Sequence, residues 1–176
     1  IQTLETLVGF PTVSSDSNLD LIRWVEMRLR VLGARVEIMA DATGQKANLY
    51  ATFGPEGSGG VVLSGHTDVV PASDQRWSND PFRLTREGDR LYGRGTADMK
   101  GFIATCLAIA PRLATTDLRR PVHFAFTYDE ETGCLGGQKL IEVLSQLEGR
   151  PSLAIVGEPT SMRVIEGHKG CHEYTT

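Results

Sequence analysis

The sequence predicts an α/β fold of three layers, with a mostly parallel, twisted sheet flanked by helices on both faces. Two observations carry this. Three apolar, strand-type runs, at the start of 61–70 (VVLSGHTDVV), at 122–127 (VHFAFT) and at 152–156 (SLAIV), are separated by segments whose apolar residues recur at helical spacing. Ionisable residues then follow each run: His66 and Asp68 the first, Glu130 and Glu131 the second, Glu158 the third. Sheets of this class place their functional crevice at that edge, beyond the carboxyl ends of the strands.

Taken in order, Ile1, Leu4, Leu7 and Val8 have helical spacing, and Pro11 ends that helix before a polar loop at 14–18. Asn18 is placed to cap a second helix, in which Ile22, Val25, Leu29 and Leu32 follow at three- and four-residue steps until Gly33 terminates it. Trp24 packs at its edge. Val36, Ile38 and Ala40 alternate, as do Leu49, Ala51 and Phe53, which predicts two strands with one covered face each. The glycine-rich 54–60 lacks the Lys-Ser/Thr ending of a phosphate-binding loop and reads as a flexible turn.

Residues 71–83 are irregular, and their WSNDPF portion is placed to cross a pocket mouth, although Trp77 and Phe82 serve equally as cover for the core. Residues 83–92 predict a hairpin turning at Glu87, Gly88 and Asp89, which leads into GRGTADMKG with its single acid, Asp98. A helix follows with Phe102, Ile103, Cys106, Leu107, Ala110 and Leu113 inward, and Pro111 is expected to kink or end it early. Leu140, Ile141, Leu144 and Leu147 form a further helical face, and residues 162–167 a last strand.

Composition narrows the function. The 176 residues, 40% hydrophobic, suffice for one domain with a substantial core. A net charge of -4 and 18 scattered Lys and Arg give no basic field for nucleic acid. No apolar run reaches the roughly 18 residues that span a bilayer, so no membrane partner is expected and the chain reads as cytoplasmic. Cys106, Cys134 and Cys171 are odd in number and lie far apart, which predicts free thiols and neither a disulfide framework nor a thiolate zinc cage.

The chemistry lies at the strand ends. Taken alone, the HxD of His66 and Asp68 is more often a polar strand end tied to its loop than a ligand pair. Three acidic strand ends together, with Asp98 on a glycine-rich loop able to approach them, crowd negative charge into one crevice, and a multivalent cation would compensate the repulsion. Nitrogen and oxygen ligands without thiolates suit zinc, and also cobalt or manganese. Of the adjacent Glu130 and Glu131, one can bind metal while the other acts as general base, the pattern of metal-assisted amide hydrolysis. No serine sits in a GxSxG elbow. His168 and His172 read as surface residues.

SGHTDVVPA with WSNDPF, GRGTADMKGF, TYDEETGCLG and GEPT, in this order, closely resemble the two-zinc family of aminoacylases, carboxypeptidases and deacylases, and look most like its deacetylase branch. The resemblance spans nearly the whole chain. It implies a zinc-exopeptidase-like catalytic fold and an N-acylated amino acid as the small-molecule partner. It further implies two Zn2+ per complete site, Co2+ being possible, with His66, Asp98 and Glu158 on one ion and Asp98 bridging to a second ion held by Glu131. Glu130 would be the general base, Asp68 would orient His66, and the peptide from Asp98 to Met99 would be cis.

Family members continue with a smaller lid or dimerisation domain and then return to supply a last histidine ligand. Residues 1–168 are accordingly expected to form the catalytic metal-binding domain without that return segment, and 169–176 to begin a lid that is otherwise absent. The second ion would then draw only Asp98 and Glu131 from this chain. The expectation is one ion bound firmly and one weakly, little deacylase activity, and a monomer where the full-length protein would dimerise through the lid.

Overall fold

A computed structural model of the chain describes residues 1–146 and 149–167. Helices α1 (Gln2–Val8) and α2 (Leu19–Val31) precede strands β1 (Arg35–Ala40), β2 (Ala47–Phe53) and β3 (Val61–His66). A small hairpin, β4 (Thr85–Glu87) and β5 (Arg90–Tyr92), is followed by α3 (Gly101–Thr115), β6 (Val122–Thr127), α4 (Leu135–Leu144) and β7 (Leu153–Val156).

The main sheet has the order β1-β2-β6-β3-β7. β6, β3 and β7 run parallel, whereas β2 is antiparallel to both β1 and β6, so the sheet is mixed and its parallel part is the half that carries the chemistry. From β3 the chain crosses by α3 to β6 on one side, then by α4 to β7 on the other. This reversal opens a crevice at the carboxyl ends of β3, β6 and β7.

Helices α1, α2 and α3 cover one face, where Leu7, Leu21, Ile22, Val25, Leu29, Ile103 and Cys106 pack on Leu49, Phe53, Phe124 and Phe126. Each fully buried side chain of this size contributes on the order of 2 kcal/mol. On the other face Leu140 of α4 joins Met39, Tyr50, Val62 and Ala125. The three-layer arrangement expected from the sequence is thus present.

Several local expectations are revised. β2 is buried on both faces because helices lie over each side of it, and β7 is exposed throughout as the edge strand. Asn18 precedes α2 but makes no side-chain cap; its amide instead exchanges two hydrogen bonds with the main chain of Ala47 and donates to Thr67 Oγ1, tying the helix start to two strands. Pro111 does not end α3, which runs on to Thr115. Its missing N–H costs one hydrogen bond in the last turns, after Ile103, Cys106, Leu107 and Ala110 have already fixed the helix on the sheet.

Ile141 is 68% exposed, so the buried face of α4 rests on Leu140, and Leu147 lies outside the described residues. Residues 162–167 form a turn and coil rather than a strand, with Met162 and Val164 exposed and no sheet neighbour to pair with among the described residues. Cys106 and Cys134 are free, while His168, Cys171 and His172 lie outside the described residues.

Candidate metal centre

His66 is the last residue of β3 and is 1% exposed. Its neighbourhood is fixed by main-chain and side-chain hydrogen bonds. Thr67 donates to Thr127 through both its N–H and its hydroxyl, each at 2.8 Å, which locks the ends of β3 and β6 together. The His66 N–H meets Met99 Sδ at 3.2 Å, and Nδ1 donates to the main-chain carbonyl of Asp68 at 2.9 Å. That bond leaves Nε2 facing the crevice as the atom able to accept a metal.

The carboxylate of Asp68 stands 3.5 Å from His66 Nδ1, so the carbonyl makes the closer contact and the carboxylate a longer, secondary one. It accepts the Ser14 hydroxyl at 2.7 Å and the main-chain N–H groups of Glu130 and Glu131 at 3.1 and 3.3 Å. Burial acts upward on Asp68, but the hydrogen bonds from His66, Ser14 and the Glu130 N–H outweigh it and hold the carboxyl below its ordinary range.

Asp98 is delivered by the loop after Gly95, whose φ of 80° and close approach to Val69 exclude a side chain there. The Asp98–Met99 peptide is cis, as the resemblance implied, and Met99 is fully buried under His66. Glu130 and Glu131 follow β6 through Asp129, which adopts φ 53° and pairs with Lys46 at 2.7 Å. Glu158 follows β7 behind Gly157, where a Cβ would lie 2.0 Å from the ring of Phe102.

The residues named from the sequence converge. His66 Nε2 lies 2.9 Å from Asp98 Oδ1, 3.8 Å from Glu158 Oε1 and 4.0 Å from Glu130 Oε2. Ligand atoms of His66, Asp98 and Glu131 all lie within 4.8 Å of one another, and so do those of His66, Glu130 and Glu158. One imidazole nitrogen and four carboxylates on one open edge suit a hard or borderline divalent cation. Glu130 therefore stands within ligand range as well as Glu131, because Asp68 holds both main-chain N–H groups and turns both side chains toward the crevice.

Electrostatics show the cost of this cluster without a cation. Burial pushes Glu131 upward, and the charges of Asp98, Glu130 and Asp68 add to this while His66 opposes it. Glu158 is also raised, by burial and by Asp98 and Glu130, against the same opposition from His66. Burial alone would depress His66, but the hydrogen bonds and charge of Asp68 and the hydrogen bond to Asp98 raise it to about 9. The imidazolium therefore serves as the cluster's internal counter-charge.

The sequence did not single out Ser14, Lys46 or Asp129 as functional. Ser14 lay in a polar loop, and only the positions of all three in space reveal them. The irregular segment at 71–83 does line cavities, one of about 660 Å³ between Val13, Pro71, Trp77 and Phe82. Arg94, from the glycine-rich loop, lies over the Trp77 ring at 5.2 Å and bonds Pro71 and Gln75.

Comparison with known proteins agrees with this geometry. The chain is 42% identical over 177 residues to the acetylornithine deacetylase of Pasteurella multocida (strain Pm70), covering 97% of this chain and 45% of the relative. Identity to the acetylornithine deacetylase of Shigella sonnei (strain Ss046) is 40%, with the same coverage. The chain thus spans somewhat under half the length of these curated relatives. In fold it is similar to the M20 family metallo-carboxypeptidase Sso-CP2 from Sulfolobus solfataricus, with a TM-score of 0.76 at 22% identity over 89% of this chain and 36% of that one. Human carnosine dipeptidase 1 gives 0.73 at 24% identity over 88% and 37%. The profile of peptidase family M20/M25/M40 matches residues 62–168, more than half of the sequence, and the chain belongs to that family.

Proposed function

We propose that this chain is the catalytic portion of a metal-dependent amide hydrolase that removes the acetyl group from N2-acetylornithine, a step of arginine biosynthesis in the cytoplasm. The observation that carries the reading is the meeting of groups from four separate segments around one imidazole: ligand atoms of His66, Asp98 and Glu131 lie within 4.8 Å of one another, and His66 Nε2 lies 3.8 Å from Glu158 Oε1. The names of the relatives at 40–42% identity support the substrate.

In this reading His66, Asp98, Glu131 and Glu158 are the residues that would hold the zinc ions. The bound cations supply a Lewis acid that polarises the amide carbonyl and lowers the pKa of water toward roughly 7. With a cation bound, His66 would present Nε2 as the ligand atom, since Nδ1–H is committed to the Asp68 carbonyl. Glu130 stands beside these ligands with its side chain 39% exposed, open to a substrate. It takes a proton from the attacking water as the new C–O bond forms, then returns that proton to the amide nitrogen as the C–N bond breaks. Residues 1–168 form the catalytic domain in this account, and the complete enzyme is a homodimer joined through a lid that also contacts the substrate.

The test is Glu130→Ala in the full-length protein. Loss of turnover by about a hundredfold or more with metal content retained is expected for a general base. Unchanged turnover would remove Glu130 from that role, and absence of turnover in the wild type would favour a non-catalytic metal-binding domain. A panel of acylated amino acids decides the substrate: preference for succinyl-diaminopimelate, acetylcitrulline or acylamino acids in general would move the assignment to a sibling deacylase.

A further inference from the structure

The segment that precedes α2 lies directly behind the acidic cluster. Residues Thr12 and Ser14 run alongside the end of β3: the Val69 N–H donates to Thr12 O at 3.0 Å, the Ser14 N–H donates to Val69 O at 3.1 Å, and the Thr12 hydroxyl donates to Thr67 O. This pins the main chain of Ser14, itself 6% exposed, beside Asp68. The two polar ends of Ser14 then reach in different directions.

Its hydroxyl donates to Asp68 Oδ2 at 2.7 Å, the closest contact that carboxylate makes. The same carboxylate accepts the N–H groups of Glu130 and Glu131 at the longer distances of 3.1 and 3.3 Å. The Ser14 carbonyl accepts from Lys46 Nζ, which also bonds both carboxylate oxygens of Asp129 at 2.7 Å. Asp129 immediately precedes the two glutamates and holds a left-handed φ of 53°. One residue therefore anchors the turn 129–131 from both flanks, through Asp68 on one side and through Lys46 on the other.

We infer that Ser14 is a positioning residue for the metal centre: by fixing Asp68 and Lys46 together it sets where the Glu130 and Glu131 side chains stand relative to His66. This rests on the metallohydrolase reading above. Removal of the hydroxyl takes away the shortest hydrogen bond that holds the Asp68 carboxylate, leaving it to the main-chain donors at 3.1 and 3.3 Å, and the glutamate pair loses part of its fixed origin. Partners that orient ligands in this way typically account for a tenfold to hundredfold change in metal affinity when removed.

The experiment titrates cobalt(II) chloride into the metal-free full chain and reads both the dissociation constant and the visible absorption of the bound ion, which reports ligand geometry. Ser14→Ala is expected to weaken cobalt binding at least tenfold and to change the spectrum, while Ser14→Thr, which retains the hydroxyl, stays near wild type. Asp68→Asn is expected to weaken binding too, and the double variant to lose less than the sum, since both act through one hydrogen bond. Should Ser14→Ala fail to fold, Ser14→Thr and Asp68→Asn carry the comparison, and Asp68→Asn with wild-type affinity and spectrum overturns the inference. Wild-type affinity and spectrum in Ser14→Ala likewise overturn it, leaving the enzyme reading intact. A wild-type chain that takes up no cobalt overturns the metallohydrolase reading itself, and this inference with it.

Discussion

The main-chain N–H of Glu130 donates to Oδ1 of Asp68 at 3.1 Å, joining the turn after β6 to the turn after β3. With the parallel bond from Glu131, this makes the buried carboxylate of Asp68 an anchor for two acidic side chains rather than a simple orienter of His66. An amide in its place cannot accept with both heads, so one of the two N–H groups would face another donor. Asp68→Asn in the full-length protein is expected to lower kcat/KM at least tenfold, a larger effect than on Tm. Steady-state kinetics beside thermal melts check this.

A second expectation concerns protons. Metal-free His66 titrates at about 9, above the ordinary 6.5, so its imidazolium stabilises the fold fully below pH 6.5 and that contribution is lost as pH rises toward and through 9. The amount is on the order of 3 kcal/mol. Metal coordination needs the neutral ring, so zinc binding at pH 7.5 should release a proton from His66. Titration calorimetry in two buffers of different ionisation enthalpy reads the release. Chemical denaturation of metal-free wild type against His66→Gln, at pH 6 and pH 9, reads the stability term, with the wild type losing its advantage at the higher pH.

Lys100 works in the opposite direction. It is fully buried, donates from Nζ to the Phe10 carbonyl at 2.7 Å, and burial pushes it down to about 7 from 10.5, with the charge of Asp68 opposing. A base whose folded value is depressed destabilises the fold while charged, and the penalty is relieved as pH rises from 7 toward 10.5. Relative to Lys100→Met, the wild type should gain on the order of a few kcal/mol across that interval. Denaturation midpoints of the two proteins at pH 6.5 and pH 9.5 give the comparison, and a constant difference would contradict it.

Gly157 is where the edge strand meets the helix layer. A Cβ there would stand 2.0 Å from Phe102 Cγ, so Gly157→Ala must move the ring or the strand end that carries Glu158. The expected cost is about 1–3 kcal/mol, with weaker metal binding because Glu158 is displaced. Replacing Phe102 by Leu in the Gly157→Ala background should recover part of both, read by Tm and by zinc titration.

Much of this was legible in the sequence for a physical reason. Buried strands announce themselves by continuous apolar runs, and a histidine and acids just past three such runs have few places to go except one edge of one sheet. The cis peptide after Asp98 and the hairpin at 85–92 followed from resemblance and from turn chemistry respectively. Less was legible where a residue's role depends on a distant partner. Ser14 and Asp68 are 54 positions apart, and Lys46 and Asp129 are 83 apart, so neither pairing has a local pattern. Asn18 has the side chain and position of a helix cap, yet its amide satisfies Ala47 and Thr67 instead. Ile141 and the coil at 162–167 have apolar patterns that no neighbouring element among the described residues covers.

The central claim is that His66, Asp98, Glu131 and Glu158 meet around divalent cations. Crystals of the protein grown with zinc, with diffraction recorded on both sides of the zinc absorption edge, locate those ions directly. An anomalous peak roughly 2.0–2.2 Å from His66 Nε2 and from an Asp98 oxygen, with Glu158 or Glu131 completing its shell, is the expected result. Anomalous density elsewhere on the molecule, with none between these side chains, would contradict it.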